Sequence, residues 1–217
     1  MDNIILSFSA SWKQTFPTED TYDGTFFNKG TQMTKVKMMA RRGDKWFHGE
    51  NEELDAQILE LPYVGDDMAM FVLLPREKTG LAKLKSVITL DNLNKAIEGM
   101  LWRFIYVFLP KFKVESKYSL MSSLQSLGLK KVFSTDADLS GINGEKNLPV
   151  SKVLHKAVME MNEEGSEAVA ATAIMPAGCR SGSRFVPPEF TVDHPFLYLI
   201  RDKRNGAILF MGQVNSL

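Results

Sequence analysis

"EEGSEAVAATA", residues 163–173, is the stretch on which the reading of this chain turns. Acids and a glycine open a run of small uncharged side chains, which then dissolves into Pro176, Gly178, Gly182 and the pair Pro187 and Pro188. Alanine and glutamate favour helix, so one reading is an exposed helix whose start is blurred by Gly165. A period of two supports another. Ser166, Ala168, Ala170, Thr172 and Ile174 share one face of a strand and carry no charge, while Glu167 falls on the opposite face. A segment with small side chains on one face can slot between two strands without displacing a packed core. On these residues alone the two readings stand level. The glycines, prolines and serines that follow favour an exposed loop, that is, a strand kept outside its sheet.

Composition sets the bounds. The chain has 217 residues, 44% of them hydrophobic and 10% aromatic, enough for one large or two small domains with a real core. Lys plus Arg number 26 and Asp plus Glu number 26, so no overall field favours nucleic acid or an anionic membrane. The lone Cys179 excludes an internal disulfide framework and a cysteine-built zinc cluster. "MDNIILSFSASW" has an acid at position 2, no basic leader and an apolar run too short to span a bilayer, and reads as a strand entered partway. The expectation is a soluble protein without a membrane segment or signal peptide.

Outward from the opening stretch, the chain mixes strand and helix without the regular alternation of a parallel α/β fold. "TKVKMMARRGDKWFHG" (34–49) and "DAQILELPYVGDDMAMFVLLP" (55–75) predict antiparallel strands, the second pair joined by a turn at Gly65, Asp66 and Asp67. In 81–100 the apolar positions Leu81, Leu84, Ile88, Leu93, Ile97 and Met100 recur at helical spacing, with Asp91 as the expected cap of a second helix. Residues 103–120 return to strand, and 118–129 read as a short helix stopped by Gly128. Residues 150–165 are again extended. Two apolar strands around the turn 203–206 close the chain.

Catalytic signatures are missing: no nucleophile elbow, phosphate loop, dinucleotide fingerprint or metalloprotease helix. His48, His155 and His194 are too scattered to predict a metal site, and acid pairs such as Asp66 and Asp67 read as solvated turns. Neither a cofactor nor a metal is expected, and the chain is not read as an enzyme.

The residues instead resemble the serpins, the family of serine protease inhibitors. "NEEGSEAVAATA" (162–173) is similar to the reactive-loop hinge of that family: acid, any residue, glycine, a small hydroxyl residue, glutamate, then alanines. "FTVDHPFLYLI" (190–200) with "FMGQV" (210–214) resembles its C-terminal signature. "SWKQTF" (11–16), "LPKFKV" (109–114), "LGLKKVFSTDADLSGI" (127–142) and "VSKVLHKAV" (150–158) match further stretches, so the resemblance covers residues 9–217.

The resemblance implies an α+β, mainly antiparallel fold and a single serpin domain over 1–217 that holds the C-terminal half. Part of the central sheet, two accessory sheets, three helices after about residue 80 and a reactive loop over about 163–187 are expected. It implies a suicide-substrate inhibitor: the loop is offered to a trypsin-like or chymotrypsin-like serine protease, and after the acyl bond forms it inserts as a new strand. The hinge is then Glu163, Gly165, Ser166, Glu167, Ala168, Ala170 and Thr172. Glu163 and Lys111 match family positions that pair near the top of the strand, Trp12 matches the neighbouring site where insertion begins, and His155 matches the family's shutter histidine. The family frame puts the reactive bond at Cys179–Arg180, with Arg180–Ser181 as the alternative. Family habit places the action outside the cell. A non-inhibitory binding protein of serpin descent is the competing class. Two features depart from the pattern. The chain starts where a full serpin is halfway through, with "IILSFSAS" where an Asn, an aromatic and Lys-Gly are usual, so impaired trapping is expected. Pro176 cannot donate to a ladder and limits regular insertion.

Overall fold

A computed structural model describes residues 3–144, 150–166 and 187–217. Its strands are β1 (Asn3–Ser7), β2 (Ala10–Ser11), β3 (Tyr22–Asn28), β4 (Gln32–Arg41), β5 (Lys45–Asn51), β6 (Ala56–Pro62), β7 (Met68–Pro75), β8 (Leu101–Phe104), β9 (Tyr106–Pro110), β10 (Phe112–Ser119), β11 (Leu154–Met161), β12 (Gly165–Ser166), β13 (Glu189–Thr191), β14 (Phe196–Asp202) and β15 (Ile208–Val214). The helices are α1 (Leu81–Val87), α2 (Leu90–Glu98), α3 (Met121–Ser126) and the single turn α4 (Ser140–Asn143). Two compact units arise, residues 9–112 with 160–217 and residues 1–8 with 113–159.

The larger unit holds a six-stranded sheet in the order β15-β14-β7-β6-β5-β8, a four-stranded sheet β13-β9-β4-β3, and the pair β12-β2. Every neighbouring pair in the six-stranded sheet is antiparallel. The apolar run "AMFVLLP" makes β7 a central strand buried along both faces. Ile58, Phe71, Leu73 and Leu199 pack against Leu81 and Leu84 of α1 and Leu93 and Ala96 of α2. Each such leucine withdrawn from water stabilises by about 1.5–3 kcal/mol. All six helical-spacing positions named above lie in or against this cluster.

Two local expectations change. Thr89, not Asp91, caps α2: its hydroxyl accepts from the Asn92 N–H at 3.2 Å, and the Asn92 side chain accepts from the Thr89 N–H at 2.7 Å. Asp91 instead sits in the first turn and pairs with Lys95 at 2.7 Å. The strands read in 34–49 form as β4 and β5 but join different sheets, β4 beside β3 and β9, β5 beside β6 and β8. The other turns fall where the glycines stand, with Gly65 and Asp66 left-handed (φ +95° and +61°) between β6 and β7, and Gly206 (φ +76°) between β14 and β15.

In the smaller unit the sheet order is β1-β11-β10. β1 runs parallel to β11, with Asn3 opposite Leu154 through Ser7 opposite Val158. The third expected helix is α3, followed by Gly128 at φ +100°. Among the described residues no helix is long and apolar enough to cross a membrane.

Candidate functional site

The hinge begins where β11 ends, and Asn162 makes the turn. Its Oδ1 accepts from the N–H groups of Glu164 (3.0 Å) and Gly165 (3.1 Å), while its own N–H donates to the Gly165 carbonyl at 3.1 Å. A short amide side chain closing on its own downstream backbone is what reverses the chain here. Gly165 and Ser166 then lie antiparallel to Ser11 and Ala10 as β12 against β2. These two residues, expected at the start of an exposed loop, are buried. A Cβ at Gly165 would stand 2.1 Å from the Ala10 carbonyl oxygen, so only glycine permits this approach.

Two side chains, Trp12 and Tyr63, hold the hinge. Trp12 is 2% exposed and stacks on Tyr63 with ring centroids 4.6 Å apart and planes at 15°. Its indole N–H donates to the Asn162 carbonyl (3.0 Å) and its backbone N–H to that of Glu164 (2.7 Å). Tyr63, 1% exposed, completes the set with its hydroxyl 2.7 Å from that of Ser166. Burial pushes the Tyr63 phenol above its ordinary pKa, with the Ser166 bond opposing.

Glu163 is 6% exposed and forms a network. Lys111 Nζ lies 2.8 Å from Oε2, the Thr21 hydroxyl donates to Oε1 at 2.9 Å, and the Phe16 N–H donates to the Glu163 carbonyl at 2.8 Å. Burial alone raises the carboxyl pKa. The bonds from Lys111, the Glu163 backbone N–H and Thr21 overcome it and hold the group below its ordinary range. The carboxylate is therefore ionised at neutral pH and tied to both flanking segments.

Trp12, Lys111, Glu163, Gly165 and Ser166 thus form one constellation. His155 belongs to the smaller unit, on β11 opposite Ile4, with its ring 6.5 Å from that of Tyr118. Glu167, Ala168, Ala170, Thr172, Pro176, Cys179, Arg180 and Ser181 lie outside the described residues. Tyr63, Thr21 and Asn162 were not singled out from the sequence. Only Asn162 left a signal, as an amide before two acids and a glycine. Among the described residues no three His, Cys, Asp or Glu side chains are grouped to hold a metal ion, and nothing in the constellation pairs a nucleophile with a base. What it can do is hold the start of one strand against a two-residue neighbour.

The signature residues at 193–196 are tied in as well. His194 is buried, with Nε2 donating to the Pro75 carbonyl (2.8 Å) and Nδ1 2.6 Å from Asp193 Oδ1. Burial opposes ionisation of Asp193, but His194 and Lys78 hold its pKa below the ordinary value.

Known proteins resemble this chain along nearly its whole length. Iripin-8 of Ixodes ricinus is 45% identical over 215 residues, covering 98% of this chain and 53% of that protein. Human leukocyte elastase inhibitor is 41% identical over 220 residues, covering 97% of this chain and 56% of its own length. The crystal structure of Serpin48 from the insect Tenebrio molitor superposes with a TM-score of 0.80 at 35% identity, over 98% of this chain and 55% of that one. The chain spans about half the length of the curated relatives it matches. Residues 3–217 match the family described as Serpin (serine protease inhibitor), and the α+β, mainly antiparallel fold is the one the sequence led us to expect: the chain belongs to the serpin family.

Proposed function

We propose that this chain carries the loop-bearing portion of a suicide-substrate inhibitor of a trypsin-like or chymotrypsin-like serine endopeptidase. The observation that carries the reading is Ser166. It is fully buried, in strand conformation, paired with Ala10 and hydrogen-bonded to Tyr63. A loop that must enter a sheet needs a first segment already committed to strand pairing and small enough to be buried. The reactive bond is Cys179–Arg180 by the family spacing, or Arg180–Ser181, where a guanidinium would enter the acidic pocket of a trypsin-like enzyme. An extracellular site of action belongs to the same proposal.

Mass spectrometry of fragments released by one protease of each specificity tests it. A first cut at 179–180 or 180–181 is expected, and absence of both cuts would refute the frame. Ser166→Arg separates inhibitor from binding module. A guanidinium in a fully buried site carries a desolvation penalty of several kcal/mol, on the order of 2–7 for a polar group and more for a charge. Tight reversible protease binding unchanged by Ser166→Arg would assign the chain to the non-inhibitory class.

A further inference from the structure

Of the two Asn-Gly pairs in the chain, 143–144 and 205–206, the second lies in the turn between β14 and β15. Asn205 is exposed, and its side chain folds forward: Oδ1 accepts from the Ala207 N–H at 2.8 Å. An amide side chain that reaches the N–H two residues on closes a ring over the peptide bond between them. That ring carries Cγ of Asn205 towards the nitrogen of Gly206. Holding two reacting groups side by side removes much of the entropy cost of joining them.

Two further features favour a reaction of this pair, and one opposes it. Residue 206 is a glycine, so no Cβ crowds its nitrogen. The Ala207 N–H polarises the Asn205 side-chain carbonyl and stays in place as that oxygen gains negative charge, which is how a backbone donor stabilises an oxyanion. The brake is the Gly206 N–H, which donates to the Asp202 carbonyl at 2.8 Å and has to let go before the nitrogen can attack. That bond belongs to a surface turn, where local opening costs least.

We propose that Asn205 is a self-modifying site: in the folded chain it converts through a cyclic imide to aspartate and isoaspartate, and the conversion loosens the β14–β15 turn. Hydroxide removes the Gly206 N–H proton, the nitrogen bonds to Asn205 Cγ, and the Cγ–Nδ2 bond breaks. Nδ2 leaves as ammonia with a proton drawn from water. Water then adds to either imide carbonyl and reopens the ring, so one water enters, one ammonia departs, and nothing is oxidised or reduced.

The loosening follows from what faces residue 205. Asn205 Nδ2 donates to Asp202 Oδ2 at 3.4 Å, and Arg204, 2.7 Å from the same oxygen, holds the Asp202 carboxyl well below the usual carboxylate range. The reaction replaces that donor by a second carboxylate, so two like charges meet. Arg204 is already shared with Asp67, 3.5 Å away. In the isoaspartate form the main chain runs through Cγ and gains a methylene. Two bonds close the turn across residue 205, Gly206 N–H to the Asp202 carbonyl and, at 2.9 Å, Asp202 N–H to the Ala207 carbonyl. A lengthened chain cannot keep both.

The test is to age the purified chain in mildly alkaline buffer and map its peptides by mass spectrometry with electron-transfer fragmentation, which separates isoaspartate from aspartate. Conversion at 205 should rise in proportion to hydroxide, proceed in the folded chain no more slowly than in urea, and be lost in Asn205→Gln, whose longer side chain would have to close a larger ring. A folded rate at least about tenfold below the rate in urea would show that the Gly206 bond to Asp202 protects the site, and would overturn the proposal. Aged chain should also lose hydrogen-exchange protection at residues 207–209 while α1 and α2 keep theirs, and Asn205→Asp, which adds the charge without the methylene, should lose less. Full protection in fully converted chain would refute the loosening.

Discussion

The hydroxyl of Tyr63 meets that of Ser166 at 2.7 Å, and neither side chain reaches solvent, although 103 residues separate them. Removing either hydroxyl breaks a buried hydrogen bond, which costs about 1–3 kcal/mol, and the second removal has no such bond left to break. Tyr63→Phe and Ser166→Ala should therefore each lower the denaturant midpoint, and the double variant should lose less than their sum. A coupling of about 1 kcal/mol is expected from the cycle. Strict additivity would mean that the bond does not form in solution.

The ion pair at Glu163 predicts an asymmetry. Its carboxylate is buried while Lys111 is 39% exposed, so the lysine can be rehydrated when orphaned and the carboxylate cannot. Lys111→Ala should destabilise by about 1–3 kcal/mol after allowing for screening of the exposed partner, and more than Glu163→Gln, which keeps a hydrogen-bond acceptor for Thr21. Glu163→Lys, which sets two ammonium groups together, should be the worst of the three. Urea midpoints in the reverse order would argue that the pair is solvated.

Gly165→Ala is a steric test of the same hinge. The new Cβ falls 2.1 Å from the Ala10 oxygen and 2.8 Å from Ser11 Cα, both backbone atoms that cannot rotate away. β12 has to leave β2, so protease sensitivity at residues 163–166 should rise while the helices and the six-stranded sheet keep their hydrogen-exchange protection. An unchanged cleavage rate would sink the assigned pairing.

How much of this was readable beforehand depended on range. The hairpins β6–β7 and β14–β15 were legible because continuous apolar runs flank glycine turns, a signal that spans only a few residues. The cap of α2 was misread because Thr89 needs Asn92, rather than the usual Glu, to complete the box. The pairing of β1 with β11 joins positions 151 residues apart, Asn3 with Leu154, and period-two patterns carry no address for a distant partner. Tyr63 was invisible for the same reason. In sequence it ends an apolar strand, and only the approach of Trp12 and Ser166 gives it a role.

Buried His48 predicts a pH dependence unrelated to the hinge. Its Nδ1 lies 2.6 Å from Arg103 Nη2, and since a guanidinium only donates, the ring is neutral with its proton on Nε2. Burial first, then the Arg103 charge, lowers its pKa from 6.5 to about 4, against the opposing pull of Gln57 and Glu50. A depressed histidine pKa means that the unfolded chain takes up the proton first. Stability is thus whole above 6.5 and falls as pH drops from 6.5 towards 4, by up to about 3 kcal/mol. His48→Gln should flatten the midpoint-against-pH curve in that window relative to the parent chain. Parallel curves would show that the imidazole is hydrated.

The last prediction concerns trapping by these 217 residues alone. The inhibitor reading requires the loop after Ser166 to enter a sheet beside β11. In the three-stranded sheet that position is taken by β1, already paired over five residues. Insertion exchanges this one ladder for two and pushes β1, the edge strand of the order β1-β11-β10, to the far side of the newcomer. There it is held by the inserted strand alone, and each of its residues regains about 1–2 kcal/mol of backbone entropy by leaving. Little then drives insertion before the acyl bond is hydrolysed. Incubation with a trypsin-like or chymotrypsin-like protease should give a cleaved chain with no denaturant-resistant complex on a gel and no rise in melting temperature. Near-stoichiometric covalent complex would overturn this, because it would show β1 firm enough as an outer strand to hold the inserted loop without further support.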